Sequence, residues 1–187
     1  MDKKLAVIFP GVGYHADKPL LYYSGKIAKE REYEVIKLVF RDLPDRIFES
    51  EEKRAEAFGI AMKQAEEALK DVDFDSFREV LFISKSIGTG IAAAYQAKCG
   101  MKARNIYYTP LLATLKMMQP ESGVVFHGTN DPWEENTEAV REMCGRLKLP
   151  LHIIKDGNHS LETGCTAGDL PVLMAVMAET ERFIDGC

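Results

Sequence analysis

Three residues lie in loops from which their side chains could carry out one reaction together. Ser86 stands in SKSIGTG, Asp131 in HGTNDPW and His159 in KDGNHSLE. A serine hydroxyl is a poor nucleophile unless it is exposed and next to a base. Histidine supplies such a base near neutral pH, taking the hydroxyl proton and returning it to a leaving group. A carboxylate that holds the imidazole tautomer and stabilises its charged form completes the set. Each residue also has a plainer reading: Ser86 as a helix cap, Asn130-Asp131-Pro132 as a turn, and His159 as a solvated loop histidine.

The elements around these loops decide between the readings. Short apolar runs at Leu5–Phe9, Val35–Phe40, Val80–Ser84, Asn105–Thr109, Val124–His127 and Leu151–Lys155 read as strands. Most are continuous rather than alternating, which suits strands covered on both faces. Helical segments are expected over residues 18–31, 50–71, from Ser86 through IGTGIAAAYQAK, 134–147 and 167–184. The charges of EEKRAEAFGIAMKQAEE suit the solvated face of an amphipathic helix. Strands alternating with helices imply βαβ units and a parallel sheet. In such sheets ligands bind beyond the carboxyl ends of the strands. Ser86, Asp131 and His159 follow the third, fifth and sixth strands, so all three pass that filter. The connection over residues 110–122 is near the shortest a parallel crossover tolerates and leaves no room for a cap domain there.

The loops themselves carry further signals. Ser84, Gly88 and Gly90 surround Ser86 with small residues, which a sharp strand-to-helix turn requires. PGVGYH after the first strand offers backbone N–H groups that glycines bring close to a substrate. A dinucleotide loop would need G-x-G-x-x-G, and after Gly11 and Gly13 the third glycine is missing.

Together, the Ser–Asp–His order and the SKSIG turn resemble the α/β-hydrolase superfamily, with Ser84 in place of the first glycine of its G-x-S-x-G elbow. The chain looks like the compact, lidless bacterial-type hydrolases, related in outline to dienelactone hydrolases and short-chain esterases. The resemblance covers nearly the whole chain. It implies an α/β fold: a single three-layer α/β/α domain over residues 1–187, with a six-stranded parallel sheet of order 2-1-3-4-5-6 and without the first two strands and the cap of larger members. It also implies acyl-bond hydrolysis through Ser86, Asp131 and His159, with oxyanion donors at Ile87 and at Val12 or Gly13. No cofactor and no metal are expected. A catalytically silent binding module on the same fold is the competing expectation, kept open by Ser84 and by the unusual Lys85.

Other residues complete the expectation. Tyr14, His15, Thr109 and Trp133 follow strand ends and are candidate substrate contacts. His152 reads as structural, and His127 as a hydrogen-bonding residue beneath the site. Lys85 beside Ser86 could tune the electrostatics of the site or pair with an acid, with solvation as the preferred reading, and Asp156 reads as a less suitable acid than Asp131. Cys99, Cys144, Cys165 and Cys187 form no CxxC pair, which fits a reduced thiol inventory. The 187 residues suit one domain, and the net charge of −5 with scattered Lys and Arg argues against nucleic acid or an anionic membrane as partner. With no signal-peptide or membrane-spanning run visible, the expectation is a cytoplasmic protein acting on a small-molecule acyl substrate in an open, shallow site. The sequence carries no signal for oligomeric state.

Overall fold

Burial on both faces organises the strands. In the computed structural model, which describes residues 3–186 apart from the side chain of Phe48, these are β1 (Lys4–Phe9), β2 (Tyr33–Lys37), β3 (Glu79–Lys85), β4 (Arg104–Tyr108), β5 (Gly123–Gly128) and β6 (Leu151–Ile154). All pair in parallel, in the order β2-β1-β3-β4-β5-β6. The helices are α1 (Pro19–Glu30), α2 (Glu51–Leu69), α3 (Ile87–Cys99), the short α4 (Leu112–Leu115), α5 (Thr137–Leu147) and α6 (Thr166–Asp185). Cys187 lies outside the described residues.

Side chains alternate across each strand, so one apolar run feeds two cores. Ala6 and Ile8 of β1, Leu81 and Ile83 of β3 and Phe126 of β5 pack with Leu20 and Leu21 of α1 and Val176 of α6. On the other face Leu5, Val7, Phe9 and Phe82 meet Ala61, Ala65 and Leu69 of α2 and Ile91 and Tyr95 of α3. Tyr107 and Val125 extend that layer to Val140 and Cys144 of α5. This is a three-layer α/β/α arrangement. Small residues at four-residue spacing, Ala57, Ala61 and Ala65, let the charged α2 lie close to the sheet.

One strand differs from expectation. VIKLVF suggests a strand over 35–40, whereas β2 spans Tyr33–Lys37. Leu38 N–H still donates to the Ile8 carbonyl, but β1 then ends at Phe9 and Pro10 has no N–H to continue a ladder. Val39, at 60% exposure, has left the sheet.

Candidate active site

Ser86 forms the junction between β3 and α3, with φ 55° and ψ −124°. A non-glycine residue in this region stores about 1–3 kcal/mol of strain and persists only when its surroundings hold it. Here the Ser86 N–H donates to the Tyr108 carbonyl at 3.0 Å, and the Ser86 carbonyl accepts from the Thr89 N–H at 2.9 Å and from Thr89 Oγ1 at 2.6 Å. Gly88 permits the fold-back, because a Cβ there would lie 2.4 Å from the Phe9 carbonyl oxygen. Ser84, at the usual glycine position, is buried and donates its hydroxyl to the Ile106 carbonyl at 3.0 Å. Its extra atoms are thereby absorbed into the sheet. The Ser86 side chain makes no helix-capping bond.

Instead, Ser86 Oγ lies 2.8 Å from His159 Nε2, and His159 Nδ1 lies 2.7 Å from Asp131 Oδ2. One imidazole tautomer satisfies both contacts: Nδ1–H donates to the carboxylate and Nε2 accepts from the serine hydroxyl. Asp131 is buried, and its other oxygen accepts the Trp133 N–H at 2.9 Å. Burial by itself would raise the Asp131 pKa, but the His159 hydrogen bond, the Trp133 amide and the charge of Lys85 hold it below the usual carboxylate value. Burial depresses the pKa of His159, and Lys85 adds to that against the opposing pull of Asp131. Asp156 has no part in this contact chain; its N–H donates to Thr129 Oγ1.

Thr109, expected as a substrate contact, is fully buried, and its hydroxyl donates to the His159 carbonyl at 3.0 Å. It therefore anchors the histidine loop. Asn158 braces the same loop by accepting the Ser160 and Glu162 N–H groups on its side-chain oxygen.

Lys85 corrects the sequence expectation. Far from being solvated, it is 1% exposed, with its ammonium 5.1 Å from the centre of the Tyr14 ring. It ends a central strand beneath the loop after β1, where a Cβ on Gly11 would come within 3.4 Å of Lys85 Cγ. Burial draws its pKa down to about 7, while Asp131 and Glu162 pull the other way.

That loop also borders the serine. Gly11 and Tyr14 exchange backbone hydrogen bonds of 3.1 and 3.3 Å around Val12 and Gly13, and Gly13 takes φ 68°, which suits glycine. A Cβ on Gly11 would lie 3.2 Å from Ser86 Cβ. Ile87 opens α3, so its N–H has no acceptor within the helix. The Tyr14 hydroxyl accepts the Leu20 N–H at 3.1 Å, and Tyr14 borders a hollow of about 250 Å³ with Leu161 and Glu162. His15 is exposed, and its Nδ1 accepts the Asp17 N–H. Trp133 is 48% exposed. His127 is buried, with Nε2 3.1 Å from Thr137 Oγ1, and His152 stacks on Phe126 at 4.9 Å. Among the described residues no group of three or more His, Cys, Asp or Glu could hold a metal ion, and no helix is long and apolar enough to cross a membrane.

An apolar cleft of about 400 Å³ adjoins the elbow. Ile87, Ile47 and Phe58 line it together with Leu111, Thr114 and Met117. Sequence reasoning singled out none of these lining residues apart from Ile87. None of the four expected substrate contacts borders the cleft. The available signal was positional: Leu111 follows β4 just as Ile87 follows β3.

No protein-family model matches the sequence, and no curated protein does. Solved structures do resemble the fold. An α/β serine hydrolase homologue from Coxiella burnetii is 14% identical, with a TM-score of 0.68 over 96% of this chain and 84% of the other. Est1E from Butyrivibrio proteoclasticus, in a structure with ferulic acid bound, is 12% identical, with a TM-score of 0.65 over 98% and 90%. An esterase from Pyrococcus furiosus is 13% identical, with a TM-score of 0.63 over 97% and 83%. The sheet order and helical layers of this chain, with superposition over nearly all of it, lead to one conclusion: this chain has the α/β-hydrolase fold.

Proposed function

We propose that the chain is a serine hydrolase that cleaves an ester, thioester or related acyl bond of a small molecule. The observation that carries this reading is the continuous contact chain from Ser86 Oγ through His159 to Asp131, at 2.8 and 2.7 Å. His159 takes the Ser86 proton on Nε2 as Oγ attacks the acyl carbon. The oxygen of the tetrahedral intermediate is stabilised by the N–H of Ile87 and one from Val12 or Gly13. The intermediate collapses, the bond to the alcohol or thiol breaks, and His159 returns the proton to that leaving group. Water, deprotonated by the same imidazole, then attacks the acyl carbon, the bond to Ser86 Oγ breaks with His159 returning the proton to Oγ, and the acid leaves. Asp131 stays ionised and stabilises the imidazolium.

The test uses a small fluorophosphonate probe and a chromogenic short-chain ester. Labelling should fall on Ser86, and Ser86→Ala should abolish both labelling and hydrolysis. Equal ester turnover in the variant would remove Ser86 as nucleophile. A folded wild-type protein that neither labels nor hydrolyses would favour the silent binding module.

A further inference from the structure

The cleft beside the elbow names the substrate more closely. Its walls come from three separate elements: the stretch around Ile47 and the first half of α2, the start of α3, and α4 with its flanks. Ile47, Ala57 and Ile87 also share one small apolar cluster, with Phe58 packed against it. The cleft is therefore continuous with the residue that directly follows Ser86. Its volume of about 400 Å³ falls in the lower part of the roughly 300–1,000 Å³ range of small-molecule sites. Two charged residues border it, Glu51 and Arg54, of opposite sign and both exposed. The cleft thus carries no net charge, and apart from Glu51, Arg54 and Thr114 its lining is apolar. The hollows near Tyr14 and His15 are smaller, about 250 and 180 Å³.

We propose that this cleft is the acyl-chain site, and that the preferred substrates carry an uncharged, medium-length apolar acyl group lying between α2 and α4. The inference rests on the acyl-serine reading above. An acyl group bonded to Ser86 Oγ passes Ile87 as it leaves the elbow, and burying its methylenes there removes apolar surface from water. Chains shorter than the cleft forgo that burial, and chains longer than it return methylenes to solvent.

The substrates are p-nitrophenyl esters from acetyl to dodecanoyl, and kcat/KM is measured for each. Specificity should rise by about fourfold per added methylene, peak at a medium length and then fall. Ala55 of α2 and Ala113 of α4 are both exposed and line the cleft, so enlarging them narrows it without entering the core. Ala55→Phe and Ala113→Phe should each lower the ratio of octanoyl to acetyl specificity by at least tenfold and move the peak to shorter chains. Thermal unfolding of both variants checks the fold. Reaction of each protein with diisopropyl fluorophosphate reports the nucleophile independently of chain length. Ser86 labelling combined with a flat chain-length profile, or with a profile that neither Phe variant shifts, overturns the cleft assignment and leaves the serine hydrolase reading standing. No labelling of folded wild type removes both.

Discussion

At the residue scale, the electrostatics around His159 make the pH profile the informative measurement. Only neutral imidazole can accept the Ser86 proton, so activity should rise with pH through the His159 pKa. Burial holds that value below the ordinary 6.5, and the nearby Lys85 charge lowers it further. The acid limb of kcat/KM is therefore expected to have its midpoint below 6.5. Lys85→Met removes one of the two depressing influences and should move that midpoint upward; an unchanged midpoint would mean that the Lys85 charge does not reach the imidazole. The same substitution bears on stability. An unfolded lysine keeps its ordinary pKa of 10.5, whereas Lys85 in the fold sits at about 7. Between those values the unfolded chain binds more protons, so the buried lysine costs progressively more stability as pH falls through that window. Its full cost, reached near pH 7, is of the order of a few kcal/mol. Lys85→Met should accordingly raise the melting temperature at pH 7 and flatten its dependence on pH above 7. Asp131→Asn is expected to leave the fold intact and lower kcat by roughly 10⁴-fold, because the amide disturbs the imidazole tautomer. A loss of less than tenfold would argue that His159 does not depend on this partner.

At the element scale, the elbow is made by close approach between the start of α3 and the end of β1. Gly88→Ala would put a methyl 2.4 and 2.5 Å from the Phe9 and Pro10 carbonyl oxygens, and backbone cannot rotate away as a side chain can. A cost of about 1–3 kcal/mol or more is expected, read as a lower denaturation midpoint together with a loss of fluorophosphonate labelling. Gly59 in α2 is the contrasting case: a Cβ there meets nothing within 4 Å. Gly59→Ala should stabilise by about 0.5–1 kcal/mol. If both alanines behave alike, crowding at the elbow is not what the glycine relieves. This contrast also shows why parts of the molecule were readable in the sequence. The strand and helix positions and the loops holding Ser86, Asp131 and His159 follow from apolar runs and turn residues, which are local signals, whereas the strand order came only from the family resemblance. Lys85 was misread because its letter says solvent, while its burial depends on Tyr14 and Gly11, which come from another strand's loop. The cleft was invisible for a related reason: Ile47, Phe58 and Met117 are ordinary apolar residues until three distant segments converge. The expected contacts Tyr14, His15, Thr109 and Trp133 were chosen by position after strands, which predicts a loop but not the direction of a side chain.

At the scale of the whole molecule, the two helical layers meet the sheet differently. Beneath α2 and α3 contact is made mainly by alanines, aliphatics and aromatic rings, with Asn105 of β4 donating to the Gln96 side chain of α3 at 2.8 Å, whereas the α1 and α6 side holds a buried hydroxyl bridge that joins two helices to one strand. The Tyr108 hydroxyl of β4 lies 2.8 Å from Ser24 Oγ of α1 and 2.5 Å from Thr180 Oγ1 of α6, and all three residues are fully buried. Ser24 also donates to the Leu20 carbonyl at 2.6 Å, which uses its one hydroxyl proton, so Tyr108 donates to Ser24 and Thr180 donates to Tyr108. The bridge ties two helices that are far apart in sequence to the strand whose last carbonyl holds Ser86 N–H. Tyr108→Phe strands the Thr180 hydroxyl in an apolar setting, and a cost of about 1–3 kcal/mol follows from leaving a buried polar group unpaired. Thr180→Val alone strands the Tyr108 hydroxyl on that side, but the double variant strands neither, so it should cost less than the sum of the singles by about 0.5–3 kcal/mol. Urea unfolding of the four proteins, with unchanged m-values as the sign of an intact transition, measures that coupling. Strictly additive losses would mean that the two hydroxyls do not depend on each other.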